Sequence, residues 1–451
     1  MYISGIICIF KIGTKCKINM SLDVKTPRNV YLSAFYKRSF AYYTVHVRLP
    51  VIITQLIDTL VRNKEEIKNL KGEESSEDLK KIIGEISKLK YEIQTNKPLS
   101  KLKSNDVDIH FYNEYIDKQA SEDGHTTYFN TIWLLTECYM YRRIKNIFSE
   151  FNTMKDFDYF SYSKRDSYNK ALPMITQMGR YLLKIENDSN NVEDTFKALL
   201  KLNLWGNKCD LSLSLGKVDG PSNVFDTHLL DEYLLSDDSD NIWLTINKTT
   251  NNDIVDFVFD NAGYELFTDF CIADYIVKQN LAKKVRFYVK TTPWFISDVM
   301  EHDVFWTLDE LIRNPDESLK TLGSRWKEYI STGKWEIVKS NFWTLPFEFK
   351  FMRDVDPSLY KKLSKAKIIF FKGDLNYRKL FGEINWDPVT TVDEGLQGFH
   401  PSRLCTLRTV KADIVVGLKP GVAEELEKKD PKWMESGDFG LIQFSNKIVE
   451  L

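Results

Sequence analysis

The sequence predicts an α/β protein: a layered sheet-and-helix core in the second half, preceded by a first half that is mostly helical. Three observations carry this. Short apolar, β-branched runs recur after residue 252, at 254–259 ("IVDFVF"), 285–289 ("VRFYV"), 335–338 ("WEIV"), 367–371 ("KIIFF"), 413–418 ("DIVVGL") and 441–444 ("LIQF"). Helical patterns separate several of them, at 263–281, 299–313 and 421–429. Near-continuous apolar strands alternating with helices require a sheet covered on both faces. Before residue 215 the apolar residues recur instead at three- and four-residue spacing, the signature of amphipathic helices.

Taken in order, residues 1–19 read as an extension expected to be disordered, and "MSLDV" from Met20 looks like the natural start. The apolar stretch "ISGIICIF" (3–10) has eight residues, far short of the roughly 20 needed to cross a bilayer. Residues 30–60 begin rich in aromatics and end in a helix after Pro50, a residue suited to a first helical turn. Residues 61–105 alternate Lys and Glu with Ile and Leu, which predicts solvated surface helices. A strongly apolar helix over 131–151 carries Glu137, Arg142 and Arg143, and 165–202 continues as helix. A polar stretch at 216–252 marks the change of rhythm. The expected organisation is therefore a helical region over 20–215 and an α/β catalytic region over 216–451.

Composition excludes several classes. The 62 basic and 64 acidic residues leave a net charge of −2, without the basic excess of a nucleic-acid binder. The six cysteines, at 8, 16, 138, 209, 271 and 405, show no CxxC pair, and the six histidines do not cluster with them. Reduced thiols and no zinc site are expected. A soluble cytoplasmic protein is expected, with the nucleus as a second compartment, and no membrane, nucleic-acid or obligate protein partner is expected.

In open α/β sheets, ligands bind beyond the carboxyl ends of the strands. Four segments bring polar groups there. "VFDNAGYE" offers Asp260, Asn261 and Glu265, and "TTPWFISD" ends on Asp298. "FFKGDLNYRKL" offers Asp374, Asn376 and Arg378 after a turn at Gly373, and "LCTLRTVKAD" offers Arg408, Thr409 and Lys411 ahead of an expected strand at 413–418. Carboxylate and amide oxygens suit a hard divalent cation. Arg378 and Lys411 suit a phosphate, helped by backbone N–H groups where helices begin after Asp260 and Asp374. Each residue also has a purely structural role open to it. Asp298 could cap the next helix, Asp374 and Asn376 could shape a turn, and Arg408 and Lys411 could be surface charges.

The ordered set "FDNAGYELFTD", "KTTPWFISD", "FKGDLNYRKL" and "LRTVKAD" resembles the metal-dependent damage-control phosphatases, specifically the subgroup with an Arg-Thr-x-Lys motif, here Arg408-Thr409-Val410-Lys411. "SFAYYTVHVRLP" (39–50), "WLLTECYMYRRI" (133–144) and "LWGNKCDLSL" (204–213) are similar to the family too, so the resemblance runs from about residue 28 to the end. It implies a three-layer α/β/α core with a helical N-terminal part. It also implies hydrolysis of sugar phosphates such as fructose 1-phosphate and fructose 6-phosphate. Carried over, it gives Asp260, Asn261 and Asp298 as ligands of a divalent metal, Mn²⁺ or Ni²⁺ first and Mg²⁺ or Co²⁺ next. Glu265, Asp374, Leu375, Asn376, Tyr377, Arg378 and Lys411 would contact the sugar phosphate. The attacking group would be water or the Asp260 carboxylate. Two other readings stand beside this one. Members of the family are also described as S-adenosylmethionine-dependent carboxyl methyltransferases acting on protein glutamates, although "DNAGYE" has one glycine and no well-placed ribose acid. A sugar-phosphate binding protein without catalysis is the third.

Overall fold

A computed structural model describes residues 21–104, 106–123, 126–186, 191–207, 231–248 and 253–449. The expected extension at 1–19 and the expected boundary at 215/216 lie outside the described residues, as does most of "LWGNKCDLSL". The chain forms two compact units. One takes the residues up to Tyr159 with Leu345–Pro357 and Phe381–Asp387; the other takes Phe160–Thr344, Ser358–Leu380 and Pro388–Leu451.

The first unit is helical. A continuous helical run covers Phe40–Arg62, with a wider turn at Thr44–Arg48 just before Pro50, which has no N–H to donate into the ladder. This run is 23 residues and, by length and composition, long and apolar enough to cross a membrane. Within the unit it buries Leu49, Ile53, Leu56 and Leu60. Helix Ser75–Gln94 buries the Leu79, Ile82, Ile86, Leu89 and Ile93 stripe and turns Lys80–Glu77 and Lys88–Glu85 pairs outward, as the 61–105 pattern predicts. The charges noted on helix Trp133–Ser149 are anchors: Arg142 is buried and bonds both Asp108 (2.6 and 3.0 Å) and Asp106 (2.6 Å).

The second unit is a three-layer α/β/α core. Its strands are β1 (Leu234–Asp237), β2 (Ile254–Val258), β3 (Lys284–Val289), β4 (Trp335–Lys339), β5 (Ile368–Lys372), β6 (Leu404–Thr409) and β7 (Gly440–Ser445), in the order β1-β7-β6-β5-β2-β3-β4. The five from β6 to β4 are parallel, and β7 runs antiparallel to β6. One face carries Val255, Phe257, Phe287 and Phe370 into a core shared with Ile175, Phe196, Phe267, Phe270 and Trp326 of the overlying helices. On the other face Tyr288 meets Trp343, and Phe371 meets Phe399. That double cover is why the strands read as apolar runs. The charged interruptions in β2 and β3 are register partners: Asp256 and Arg286 share two hydrogen bonds of 2.7 and 2.6 Å inside the sheet.

Two expectations are corrected. Residues 413–418 are not a strand; β6 is "LCTLRT", nine residues earlier. The apolar side chains of Ile414, Val415 and Val416 are buried, but side chains and a neighbouring loop satisfy the backbone there. Arg408 donates to the Ala412 and Ile414 carbonyls, the Tyr377 hydroxyl accepts from Val416 N (3.1 Å), and Gly417 N donates to Thr390 O (2.7 Å). Helix over 165–202 is in fact two helices, Ser161–Ile185 and Val192–Leu204.

Candidate active site

The sheet order places a switch point at β2. The chain leaves β2 towards β3 and β4 on one side, then returns to build β5 and β6 on the other. Loops leaving the carboxyl ends of β2 and β5 therefore diverge, opening the crevice where such sheets hold ligands. Asp260 and Asn261 follow β2 after one residue, Phe259, and Gly373 and Asp374 follow β5 directly.

The loop after β3 docks on the β2 loop through its backbone. Ala262 N donates to Ser297 O (2.7 Å) and Val299 N to Asp260 O (2.9 Å), which sets Asn261 opposite Asp298. This close fit holds Phe295 and Ile296 at positive φ, +41° and +70°, a conformation that costs non-glycine residues energy and tends to collect at functional loops. Asn261 donates from Nδ2 to Asp260 Oδ2 (2.7 Å) and Glu265 Oε2 (2.9 Å) and accepts from the Ser297 hydroxyl. Asp260, Asn261, Glu265 and Asp298 thus form one cluster. Asp298 does not cap the following helix, which starts at Glu301 behind Met300 and is capped by Asp303, whose carboxylate accepts from Met300 N (2.8 Å).

Two lysines complete the cluster, and sequence reasoning overlooked both. Lys290, just past β3, places its ammonium 3.3 Å from Asp298 Oδ2. Lys372, the last residue of β5, reaches Glu265 (3.4 Å) and Asp269 (3.0 Å). Both are about 2% exposed, so neither charge is there by default. Burial works against the Lys372 ammonium, but Asp269 and Glu265 outweigh it and hold it above the usual lysine range. The signal was available: β3 and β5 flank β2, and each apolar run gives way to a lysine at its carboxyl end, "FYVK" and "FFK".

Electrostatically the cluster is short of positive charge. Burial, with Glu265 and Asp298 beside it, holds the Asp260 carboxyl well above the usual carboxylate range, against the pull of Lys290 and Lys372. Burial also raises Asp269 and Asp298, again against those lysines. Carboxylate and amide oxygens gathered in one buried cluster, their carboxyls raised by burial, are donors of the kind that suit a hard divalent ion. Asp298 Oδ2 is buried and, despite the nearby ammonium, makes no hydrogen bond of good geometry, which leaves it an acceptor to spare. The residues present therefore fit the metal that the resemblance implies.

The "GDLNYR" residues lie on a helix, Gly373–Phe381, rather than in a turn. Asn376 pins that helix to the end of β2, donating to the carbonyls of Val258 (3.3 Å), Phe259 (3.2 Å) and Lys372 (2.7 Å). Gly373 has φ +79°, and a Cβ there would run into the Asp260 carboxylate and lie 2.8 Å from Asp260 Cβ. Leu375, Tyr377 and Arg378 are buried on the same helix. Arg408 is not a surface charge. It is fully buried, bonds Asp374 (2.8 Å), and stacks over the Tyr377 ring with its guanidinium carbon 4.1 Å from the centroid. Thr409 is buried at the end of β6, paired with Gly440. Lys411 is half-buried with its stem against Gly437, and among the described residues its ammonium has no hydrogen bond or ion pair. No direct bond joins Lys411 to the Asp260 cluster among the described residues.

Fold and site together define a three-layer α/β protein that gathers carboxylates, an amide and buried ammonium groups at the switch point of its sheet. Comparison with known proteins narrows the class. The model of the damage-control phosphatase ARMT1-like domain matches residues 44–426. The chain is 40% identical to damage-control phosphatase ARMT1 of Mus musculus over 433 residues, covering 93% of this chain and 99% of that one. It is equally similar, at 40%, to the Homo sapiens protein of the same name, covering 91% and 97% of the two chains. Among solved structures, a DUF89 family protein from Pyrococcus horikoshii is 18% identical with a TM-score of 0.38, covering 76% of this chain and 92% of that one. The chain belongs to the ARMT1-like damage-control phosphatase family.

Proposed function

We propose that the protein is a metal-dependent phosphatase that hydrolyses small sugar phosphates, fructose 1-phosphate and fructose 6-phosphate among them, as a metabolite damage-control enzyme. The observation that supports this reading most is the buried cluster of Asp260, Asn261, Glu265 and Asp298, short of positive charge, at the sheet's switch point. In the proposal Asp260, Asn261 and Asp298 hold the divalent ion, Mn²⁺ or Ni²⁺ in the first instance. When bound, it supplies positive charge to the phosphate oxygens and to the charge that develops on them.

The chain's own residues would do the rest. Lys411 supplies an ammonium for a phosphate oxygen. Arg378, on helix Gly373–Phe381, would add a guanidinium for the remaining phosphate oxygens, and Asp374 and Asn376 on the same helix would contact the sugar phosphate. Lys290 and Lys372 oppose the burial that raises the neighbouring carboxyls and fix them in place, so that the donor set would be preorganised before substrate arrives. Glu265, held by Asn261 and Lys372, would line the site near the substrate.

The test is phosphate release from a panel of sugar phosphates by the full chain, with chelator, with Mn²⁺ restored, and with Asp260→Ala. Release that stops in chelator, returns with Mn²⁺ and is absent in a folded Asp260→Ala supports the reading. Chelator-resistant release, or full activity in Asp260→Ala, removes it. A parallel titration with S-adenosylmethionine reports the methyltransferase alternative, and saturable fructose 6-phosphate binding without release reports the non-catalytic one.

A further inference from the structure

The opposite end of the same sheet carries a feature that phosphatase chemistry does not use. A cleft of about 700 Å³ opens at the amino ends of the parallel strands, within the size range of small-molecule sites, roughly 300–1,000 Å³. Its floor is made by Asp253, Lys367 and Arg403, the residues immediately before β2, β5 and β6. Asn446, just past the antiparallel β7, reaches the same edge, and helix Ser239–Ile246 forms a wall. Strands rise roughly 3.3 Å per residue, so Asp253 and Asp260 stand on the order of 20 Å apart. A ligand in this cleft cannot touch the Asp260 cluster.

The charge in the cleft is asymmetric. Lys367 is already neutralised: it pairs with Asp253 (3.0 Å) and donates to the carbonyls of Ile246 (2.8 Å) and Lys248. That leaves Lys248, Lys365 and Arg403 facing the space, and among the described residues no carboxylate pairs with any of them. Arg403 is also aimed. Its Nε donates to Asn446 Oδ1 (2.8 Å), which fixes the guanidinium plane and leaves its two terminal nitrogens to donate as a fork, the geometry that matches a phosphate.

The cleft is far larger than a phosphate group needs, and its remaining surface is not basic. Leu244, 60% exposed, and the half-buried Phe444 give it an apolar side. Asn241 and Thr245, on the same helix as Leu244, add amide and hydroxyl groups that can pair with a base or a sugar. An aromatic ring beside a fork of cations is the chemistry that takes a base and its phosphates together. We propose that this cleft is a second ligand site, one that binds a nucleoside diphosphate with its phosphates on Arg403, Lys365 and Lys248 and its base against Phe444.

The experiment is calorimetry on the full chain with ADP as probe, and with adenosine and inorganic phosphate as separate arms. ADP is expected to saturate a single site, with adenosine and phosphate each binding at least tenfold more weakly. Asp260→Asn should leave ADP affinity unchanged, whereas Lys365→Glu, at an exposed position, should weaken it about tenfold, and Lys365→Glu with Arg403→Glu further still. Phe444→Ala, with a melting temperature measured alongside, should weaken ADP while sparing phosphate. Three results would overturn the proposal: no saturable ADP binding at millimolar concentration, binding that is lost in Asp260→Asn but kept in the charge reversals, or phosphate alone binding as tightly as ADP.

Discussion

Gly373→Ala puts the geometry of the site under a direct load. At φ +79° an alanine is strained, and its Cβ would overlap the Asp260 carboxylate. Asp260 has little room to give way: its carbonyl accepts from Val299 N, its Oδ2 accepts from Asn261, and the side chain is buried. The backbone strain alone costs about 1–2 kcal/mol, partly offset by the smaller entropy of the unfolded alanine chain, about 0.4–1 kcal/mol. The fold should survive that. The site should not, because relieving the overlap moves Asp260 by about an ångström, and a misplacement of that size costs on the order of 10²-fold in rate, or about 2.7 kcal/mol of activation energy.

Gly421→Ala is the control that separates strain from collision. Gly421 has φ +91° and open space around its Cβ position, so it should carry the same backbone cost without displacing anything. The assay is kcat/KM for phosphate release, with Mn²⁺ affinity by calorimetry and melting temperature recorded for both variants. The expected result is two similar, small losses of melting temperature, with the hundredfold loss of activity and a weakened metal affinity in Gly373→Ala only. Wild-type activity in a folded Gly373→Ala, or an equal loss in Gly421→Ala, would refute the placement of Asp260 in the site.

Two more predictions bear on the basic side. Lys411→Ala removes an ammonium that has no partner among the described residues, so the fold should be indifferent to it; KM for the phosphate ester should rise about ten- to a hundredfold, the worth of one charge-assisted hydrogen bond, while kcat changes less. Arg408→Lys keeps the charge but loses the fork that binds Ala412 O, Ile414 O and Asp374; losing two such bonds, at about 1 kcal/mol each, should raise amide exchange across 410–418 in hydrogen-exchange measurements, and unchanged exchange there would show that Arg408 does not hold the loop.

How far the sequence could be read depended on whether a feature was local. The alternation of apolar strands and helices is local, so the layered core was legible, and so was Asp260-Asn261 at the mouth of a buried strand. Which apolar run becomes β6 was not. "DIVVGL" has the better strand composition, and "LCTLRT" wins because Arg408, Tyr377 and the 388–390 segment satisfy the 412–418 backbone from elsewhere. The same contacts, with Asp374, make the motif residue Arg408 a buried clamp, not the surface charge that was its structural alternative. Lys290 and Lys372 could be seen as strand-terminal lysines, but only the strand order sets one on each side of Asp260.

Those two lysines also bear on the proposed need for a further cation. Were they the phosphate ligands, their charge would be free for substrate; instead Lys290 is engaged by Asp298 and Lys372 by Glu265 and Asp269. Even with both lysines in place, burial holds the Asp260 carboxyl well above the usual carboxylate range and raises Asp269 and Asp298, so these two ammonium groups have no charge to spare for a phosphate. Nor has Arg408, because its nitrogens are held by Asp374 and two carbonyls. The ammonium of Lys411 has no direct bond to this cluster among the described residues, so on the proposed reading a divalent cation on the oxygens of Asp260, Asn261 and Asp298 would supply the positive charge within it. The proposed metal dependence is consistent with this use of the lysines, and loss of phosphate release in chelator is the measurement that checks it.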